Sequence, residues 1–308
     1  MIAVYAPASV SNVACGFDVL GFALDEPGDV VIAAPQDESG VSITAIEGDE
    51  GRLPREVRKN TASAAVLALL QRLETTRGIA LTIHKGIPLT SGIGSSGASA
   101  VAAVVAANEL LGRPASMPLL LECAMAGEQA GCGSIHPDNV TPSLYGGFIL
   151  ARSAQPPDIV HLPVPTGLAC ALLHPRMSVE TGAARQLIGD QVPLTAATRQ
   201  WANVGALVSA LYTSDLPLLS RSLVDTIAEP KRAHLVPGFA AIKAAAVEAG
   251  ALGCSLSGSG PSIFALAASV EIARAAGEAM QRAFATASNL GADLWVCPVG
   301  RQGARVVS

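Results

Sequence analysis

Apolar and polar positions sort the chain into short, dense apolar runs and longer stretches with helical spacing. Ile2–Ala6, Val19–Ala23, Val30–Ala34 and Val41–Ile46 are short apolar runs separated by glycine, proline and acidic residues, and they predict strands. Thr61–Leu73 carries apolar residues at helical spacing and precedes another strand-like run, Ile79–His84. Ala98–Leu111 is rich in the best helix former and lacks proline, so it predicts a helix, and Met117–Gln129 predicts a second. Gly147–Ala151 reads as a strand before the proline-rich break Gln155-Pro156-Pro157-Asp158. Beyond the break, strands are predicted at Ala169–Leu173, Leu252–Leu256, Ile263–Ala267 and Asp293–Cys297, and helices at Thr195–Tyr212, Ala240–Ala249 and Val270–Ser288. Strands and helices mix without a strict βαβ alternation, which makes the fold class α+β. The break marks the expected domain boundary, dividing the chain into residues 1–155 and 156–308.

Composition narrows the function classes. The 308 residues suffice for one large domain or two modest ones with real cores. Half of the residues are hydrophobic, yet no run reaches the roughly 18 apolar residues of a membrane span, and the N-terminus lacks a basic, then apolar, leader pattern. A net charge of −5 gives no support to nucleic acid or an anionic membrane as partner. None of the six cysteines forms a C-x-x-C pair, so reduced thiols in a cytoplasmic protein are expected. Cys15 and Cys254 fall inside glycine-rich segments and are expected to be open to alkylation, without a catalytic role.

The strongest chemical signal is Pro88-Leu89-Thr90-Ser91-Gly92-Ile93-Gly94-Ser95-Ser96-Gly97-Ala98-Ser99, a glycine- and serine-rich turn between a strand and a helix. A turn opening a helix presents unpaired N–H groups and the positive end of the helix dipole, which suits an anion. Glycines allow close backbone approach, and the serine hydroxyls add donors or metal ligands. The segment literally fits G-x-G-x-x-G, but a helical stretch follows where a dinucleotide fold needs a strand ending in an acidic residue. No lysine follows these glycines, which sets a Walker loop aside, and protein-kinase motifs are absent.

This segment resembles the ATP-binding motif of the GHMP kinases, with Ile93 and Gly97 where leucine and alanine are usual. A second motif of the family is matched by Gly253-Cys254-Ser255-Leu256-Ser257-Gly258-Ser259-Gly260-Pro261, about 160 residues later and in the family's order. The resemblance covers essentially the whole chain. It implies an N-terminal domain like ribosomal protein S5 domain 2 and a ferredoxin-like C-terminal domain, with the active site between them. It also implies ATP contacts from Pro88, Gly92, Gly94, Ser95, Ser96, Gly97 and Ser99. Asn60 opens a helix, where an N-cap is its ordinary role; the family places a nucleotide-facing asparagine there, and both readings stay open.

The remaining polar clusters are similar to those of the homoserine-phosphorylating branch of the family. Asn12 and Asp18 stand six residues apart among small residues, a pattern that by itself fits a self-satisfied turn. Gly133-Ser134-Ile135-His136-Pro137-Asp138-Asn139 follows Glu128; taken alone, His136 and Asp138 hint at a metal pair, but no further His or Cys completes a zinc set. The resemblance implies that Glu128, with Ser96, holds Mg2+, and that Asn12, Asp18 and His136 face the ammonium and hydroxyl of L-homoserine. Arg185, beside Thr181, and Arg232 match segments whose arginines hold the substrate carboxylate, for which a planar guanidinium is better suited than lysine. Gly258 joins them from the second glycine motif. Asp138 and Asn139 are expected to orient the reacting groups, since phosphoryl transfer depends chiefly on positioning and electrostatics. Two rivals remain: a GHMP kinase for another small alcohol such as mevalonate or shikimate, and a silent member that senses a metabolite. The apolar faces of the C-terminal helices fit either core or a dimer surface, which leaves a homodimer open.

Overall fold

One sheet of the structure, a computed structural model describing residues 1–307, runs from β11 (Arg305–Val307) through β1 (Ile2–Ser11), β2 (Leu20–Gln36) and β4 (Gly78–His84) to β3 (Gly40–Glu47). Only β3 and β4 are parallel. The N-terminal end of β2 pairs with β5 (Phe148–Ala154), which pairs with β6 (Pro157–Leu162) and completes seven strands. Against this sheet pack α2 (Ser95–Leu110), α4 (Pro137–Tyr145) and, at β3, α1 (Thr61–Arg72), while α3 (Met117–Cys132) packs on these helices. α2 is buried on nearly every side, and its alanines let the sheet and the other three helices close around it without voids.

The second sheet has the order β10 (Ala292–Pro298), β7 (Ala169–Pro175), β9 (Ile263–Ala267), β8 (Gly253–Leu256), all antiparallel. Fourth, first, third, second is the strand order of a ferredoxin-like unit, as expected. Alternation along its strands feeds two cores. Ala171, Leu173, Ile263 and Ala265 face α9 (Phe239–Glu248) and α10 (Val270–Ala287), while Cys170, Leu172, Phe264 and Leu266 face the N-terminal half. Phe264 lies edge-on to Phe22 at 6.0 Å, and Phe22 leans on Phe148 at 4.7 Å, so the two sheets share one core. α6 (Leu194–Thr213) buries Leu207 and Leu211 in that core but leaves Leu194, Trp201 and Tyr212 exposed.

Several elements depart from the sequence reading. The two strands expected at Val19–Ala23 and Val30–Ala34 are one strand, interrupted where residues 24–27 stand opposite Ala8 as a wide bulge: β1 pairs Pro7 with Gly28 and Ser9 with Ala23. The break at Gln155–Pro156 is the turn of the β5–β6 hairpin, so the first sheet continues to Leu162, and β11 returns the C-terminus to it. We therefore propose the junction between the two halves after Leu162 rather than after Gln155. The chain also forms α4, α5 (Thr181–Gln186), α7 (Leu216–Ser222) and α8 (Glu229–Arg232), none of which was expected. Pro137 and Pro142 masked α4: the first suits a helix start, and the second removes one interior N–H.

The carbonyl that Pro142 leaves without its helical donor belongs to Asp138, and it is packed against Gly21 of β2: a Cβ added there would lie 1.9 Å from Asp138 O. Gly→Ala in an ordinary strand is neutral or stabilising. Gly21→Ala is expected instead to destabilise the fold by roughly 2 kcal/mol or more, because backbone must move. Urea denaturation checks the sign; a more stable variant would refute the contact.

Candidate active site

Two glycine turns meet between the sheets. The loop after β4 bends through Gly92 and Gly94, both left-handed at φ 78° and 73°, and delivers the chain to α2 with no side-chain cap at its N-terminus. α2 starts at Ser95, three residues earlier than its alanine pattern indicates, so Ser95, Ser96 and Gly97 form its first turn and their N–H groups need partners from outside the helix. The second turn joins β8 to β9. Ser257 Oγ donates to Gly92 O at 2.8 Å, Ser262 N to Ser91 O at 3.2 Å and Gly258 N to Ser11 O at 3.3 Å. A Cβ at Gly92 would lie 2.6 Å from both Ser257 O and Gly260 O, so only glycine permits this approach.

Beneath the first turn lies a buried ion pair that the sequence reading missed. Lys85 donates to the Asp29 carboxylate, to Ser95 O at 2.7 Å and to Ser99 Oγ at 2.8 Å. Asp29 Oδ1 accepts from Gly86 N and Ile87 N, each at 3.0 Å, and Oδ2 accepts from Ser99 Oγ at 2.7 Å. No signal in the sequence singled out Asp29, which closes the polar stretch Asp25-Glu26-Pro27-Gly28-Asp29. The Ser99 hydroxyl is therefore spent behind the loop, and Ser95 Oγ turns back to Ile87 O at 3.1 Å. Ser96 keeps its hydroxyl for the cavity, whose wall it shares with Glu128.

The cavity has a volume of about 640 Å³. Ser95, Ser96, Lys85, Asn60 and Glu128 line it, as do Asn12, Phe17, Asp18, His136, Thr181, Arg185, Arg232 and Gly258. Asp138 and Asn139 link these two groups. A Cβ on Gly94 would lie 3.0 Å from Asn139 Oδ1, which also accepts from Ser9 Oγ at 3.1 Å, and Asp138 Oδ2 accepts from Asn12 N at 3.3 Å. Two of the expected ATP contacts do not reach the wall: Pro88 offers its carbonyl to Ser91 Oγ at 2.6 Å, and a Cβ at Gly97 would press on Val140 of α4 at 3.3 Å. Asn60 lines the cavity with its side chain committed elsewhere, since Oδ1 caps α1 at Ala62 N and Ser63 N and Nδ2 donates to Pro54 O.

Opposite the loop, residues 12–18 form a strained turn. Asn12, Val13 and Ala14 are all left-handed, at φ 67°, 40° and 58°, and Asp18 is at 60°. Such backbone costs about 1–2 kcal/mol per non-glycine residue, most for a β-branched one, so surrounding contacts must hold it. Asn12 supplies two of them: its Oδ1 accepts from Asp18 N at 3.0 Å and its Nδ2 donates to Gly258 O at 3.0 Å. Arg185, from α5, forks onto Asp18 at 3.2 and 2.5 Å. Arg232, at the end of α8, donates to Ala184 O at 2.9 Å and Gly258 O at 3.2 Å. The Phe17 ring lies 5.4 Å from both guanidinium groups and keeps them side by side, a role the sequence reading missed. Thr181 Oγ1 reaches Ser259 Oγ at 3.4 Å, and His136 Nε2 meets Ser134 Oγ at 2.8 Å.

Burial sets the electrostatics. It pushes Glu128 up to about 7, against the Ser96 hydroxyl and the Lys85 charge. Burial, reinforced by the Asp18 charge, pushes Asp138 up to about 7, and its Oδ1 has no partner. Burial lowers His136 and favours the neutral ring, while the Asp18 hydrogen bond raises Arg185. The expectation of open thiols at Cys15 and Cys254 is corrected: each is 1 % exposed and burial pushes each up to about 12, whereas Cys132, at the cavity, is exposed. Among the described residues no group of three or more His, Cys, Asp or Glu could hold a metal, and no helix is long and apolar enough to cross a membrane.

An uncapped helix start facing a cavity that also holds paired arginines and carboxylates defines a small-molecule phosphotransferase site. The chain belongs to the GHMP kinases: the family's N terminal domain matches residues 60–147 and its C terminal domain residues 207–286. It is 53 % identical to the homoserine kinase of Chlorobium phaeobacteroides (strain BS1) over 98 % of each chain. It is 41 % identical to that of Xylella fastidiosa (strain M12) over 98 % of this chain and 93 % of the relative. The crystal structure of homoserine kinase from Cytophaga hutchinsonii superposes with a TM-score of 0.97 at 51 % identity, covering 99 % of this chain and 97 % of that one. Mevalonate kinase of L. major, at 18 % identity and a TM-score of 0.71, shares the fold.

A carboxyl group raised in the folded state opposes folding once it ionises. For Asp138, with an ordinary value of 3.8 and a folded value of about 7, the folded chain holds a proton that the unfolded chain has lost between those limits, so its contribution to stability falls as pH rises. Asp138→Asn is expected to stabilise the ligand-free protein at pH 8 by on the order of 1–3 kcal/mol and to change it little at pH 4. Thermal unfolding of both proteins across that range checks the divergence; parallel curves would contradict it.

Proposed function

We infer that the chain transfers the γ-phosphoryl group of ATP to the hydroxyl of L-homoserine, giving O-phospho-L-homoserine and ADP, a step of threonine biosynthesis. The observation that carries this reading is the joining of an anion-binding helix start and a charge-balanced acceptor pocket by Asp138 and Asn139 within one cavity. The hydroxyl oxygen forms a bond to the γ-phosphorus as the bond to the ADP oxygen breaks, and the hydroxyl proton is released to solvent. The N–H groups of Ser95 and Ser96, at the start of α2, receive phosphate oxygens, with Lys85 fixed behind them. Ser96 and Glu128 present a hydroxyl and a buried carboxyl side by side. An oxygen-only pair of this kind fits Mg2+, which keeps phosphate and water among its ligands and, when bound, neutralises charge on the phosphates.

On the acceptor side Asp18 and Arg185 neutralise each other. An amino acid carrying both charges exchanges that pair for two new ones, carboxylate to Arg185 and Arg232 and ammonium to Asp18, leaving no charge stranded. A carboxylate without an amine, such as mevalonate, would free Asp18 without a partner. We assign Asp138 and Asn139 to orienting the hydroxyl, with the unpartnered Asp138 Oδ1 as its acceptor. Release of ADP from Mg-ATP is expected with L-homoserine and not with mevalonate, shikimate or no acceptor. Turnover with another acceptor alone would overturn the pocket assignment, and silence with nucleotide bound would favour a sensor. Arg232→Ala should raise KM for homoserine by about 100-fold, while Asp138→Asn should lower kcat by only about 10-fold. Abolished turnover in Asp138→Asn with unchanged homoserine binding would make that carboxylate a base rather than an orienter.

A further inference from the structure

Outside the cavity wall, one buried polar pair bonds the backbone of the two segments that lead to Phe17 and Asp18 and to Arg232, and is used by nothing described so far. Gln200 of α6 and Asp225, in the segment between α7 and α8, are both buried. Gln200 Nε2 donates to Cys15 O and to Asp225 Oδ1, each at 2.9 Å. Its Oε1 accepts from Thr226 N at 2.8 Å and Thr226 Oγ1 at 2.9 Å, so every hydrogen-bonding capacity of the amide is engaged. Asp225 accepts in addition from the backbone N–H groups of Ile227, Ala228 and Glu229 at 2.8, 3.0 and 2.8 Å. These groups lead into α8, whose last residue is Arg232.

The carbonyl held by Gln200 lies directly after the left-handed residues Asn12, Val13 and Ala14. That strained turn carries Phe17 and Asp18, and it is tied from within by Asn12 alone among the side chains of its own segment. From outside, Gln200 holds its Cys15 carbonyl, while Asp138 holds Asn12 N and Arg185 holds the Asp18 carboxylate. We propose that Gln200 and Asp225 form a positioning clamp for the acceptor pocket: Gln200 holds the 12–18 turn in its left-handed form, and Asp225 fixes the start of α8, so that Asp18 and Phe17 stand in register with Arg232. Neither residue touches the acceptor. The clamp acts through the backbone, and it makes α6, on the outer side of the molecule, part of what sets acceptor affinity. This inference rests on the proposed reaction.

Gln200→Met keeps the length of the side chain and removes both polar functions. It is expected to raise KM for L-homoserine at least tenfold while KM for Mg-ATP stays within twofold, because the ATP loop is held separately by Lys85 and Asp29. Independently of any turnover, Cys15 in the folded variant should be alkylated by iodoacetamide at least tenfold faster, measured by peptide mass spectrometry with exposed Cys132 as internal reference. Asn203→Ala serves as control: Asn203 also ties α6 to the Val224 carbonyl, at 2.9 Å, but does not reach the 12–18 turn, and both readouts should stay at wild-type values. If Gln200→Met does not fold, Gln200→Glu, which keeps the shape and the acceptor for Thr226 but loses the donor, carries the same test. Unchanged Cys15 labelling in a folded variant, or equal rises in both KM values, would overturn the clamp. Accelerated Cys15 labelling in the variant, with the wild-type protein itself inactive on homoserine, would instead keep the clamp and reject the proposed reaction.

Discussion

Everything in this molecule that can do chemistry depends on the backbone contact between its two glycine turns. The loop before α2 and the turn between β8 and β9 exchange hydrogen bonds through Ser257, Gly92, Ser262 and Ser91, at a separation no side chain at Gly92 would allow. This contact closes the cavity on one side. It also turns Gly258 O toward Asn12 and Arg232, both of which donate to it. A nucleotide loop that floated free of the C-terminal sheet would have no fixed relation to the arginines. The shared core of Phe22, Phe148 and Phe264 makes the relation rigid, since side chains packed at crystal-like density leave the two sheets little room to slide.

Charge is handled differently at the two ends of the cavity, and the difference follows function. Asp29 and Lys85 are wholly buried and surrounded by backbone and serine partners, an arrangement in which losing either partner strands a desolvated charge. Asp18 and Arg185 are partly exposed and hold each other by a fork that incoming charges can replace. The first pair is built to stay and keep a loop in place. Under the proposed reaction the second is the pair exchanged for substrate charges. Asp138 and Glu128 have no such counter-ion, and burial raises both, so stability is given up where reacting groups must sit.

Much of this was legible in the sequence, for identifiable reasons. The two glycine motifs, Glu128, Asp138 and the arginines stand in contiguous polar segments whose residue types have few alternative explanations, and the cavity brings them together. Helices without proline and strands with dense apolar runs were found with small errors at their ends. What remained hidden depended on tertiary partners. Lys85 looks like an ordinary charge after a strand until Asp29, 56 positions away, is placed against it. Phe17 reads as core until two guanidinium groups lie against its ring. Gly97 belongs to the motif by pattern, but a helix turns its residues through about 100° each, so residues of one motif need not share a face. α4 was hidden because two prolines argue against a helix locally, and packing against β1, β2 and α2 prevails.

The left-handed run at Asn12–Ala14 shows why the acceptor side needs more support than the nucleotide side. Gly92 and Gly94 reach positive φ without steric cost, so the loop before α2 holds a single strained non-glycine residue, Thr90 at φ 54°. The acceptor turn puts three consecutive residues in the same region of conformational space; asparagine tolerates it, but valine and alanine do not favour it. Its geometry must therefore be imposed by partners outside the segment: Asp138 Oδ2 on Asn12 N, Gly258 O on Asn12 Nδ2 and Gln200 on Cys15 O. All three lie on different elements, α4, the β8–β9 turn and α6. A pocket maintained in this way responds to distant packing, and its affinity for the acceptor is a property of the whole fold rather than of the residues that line it.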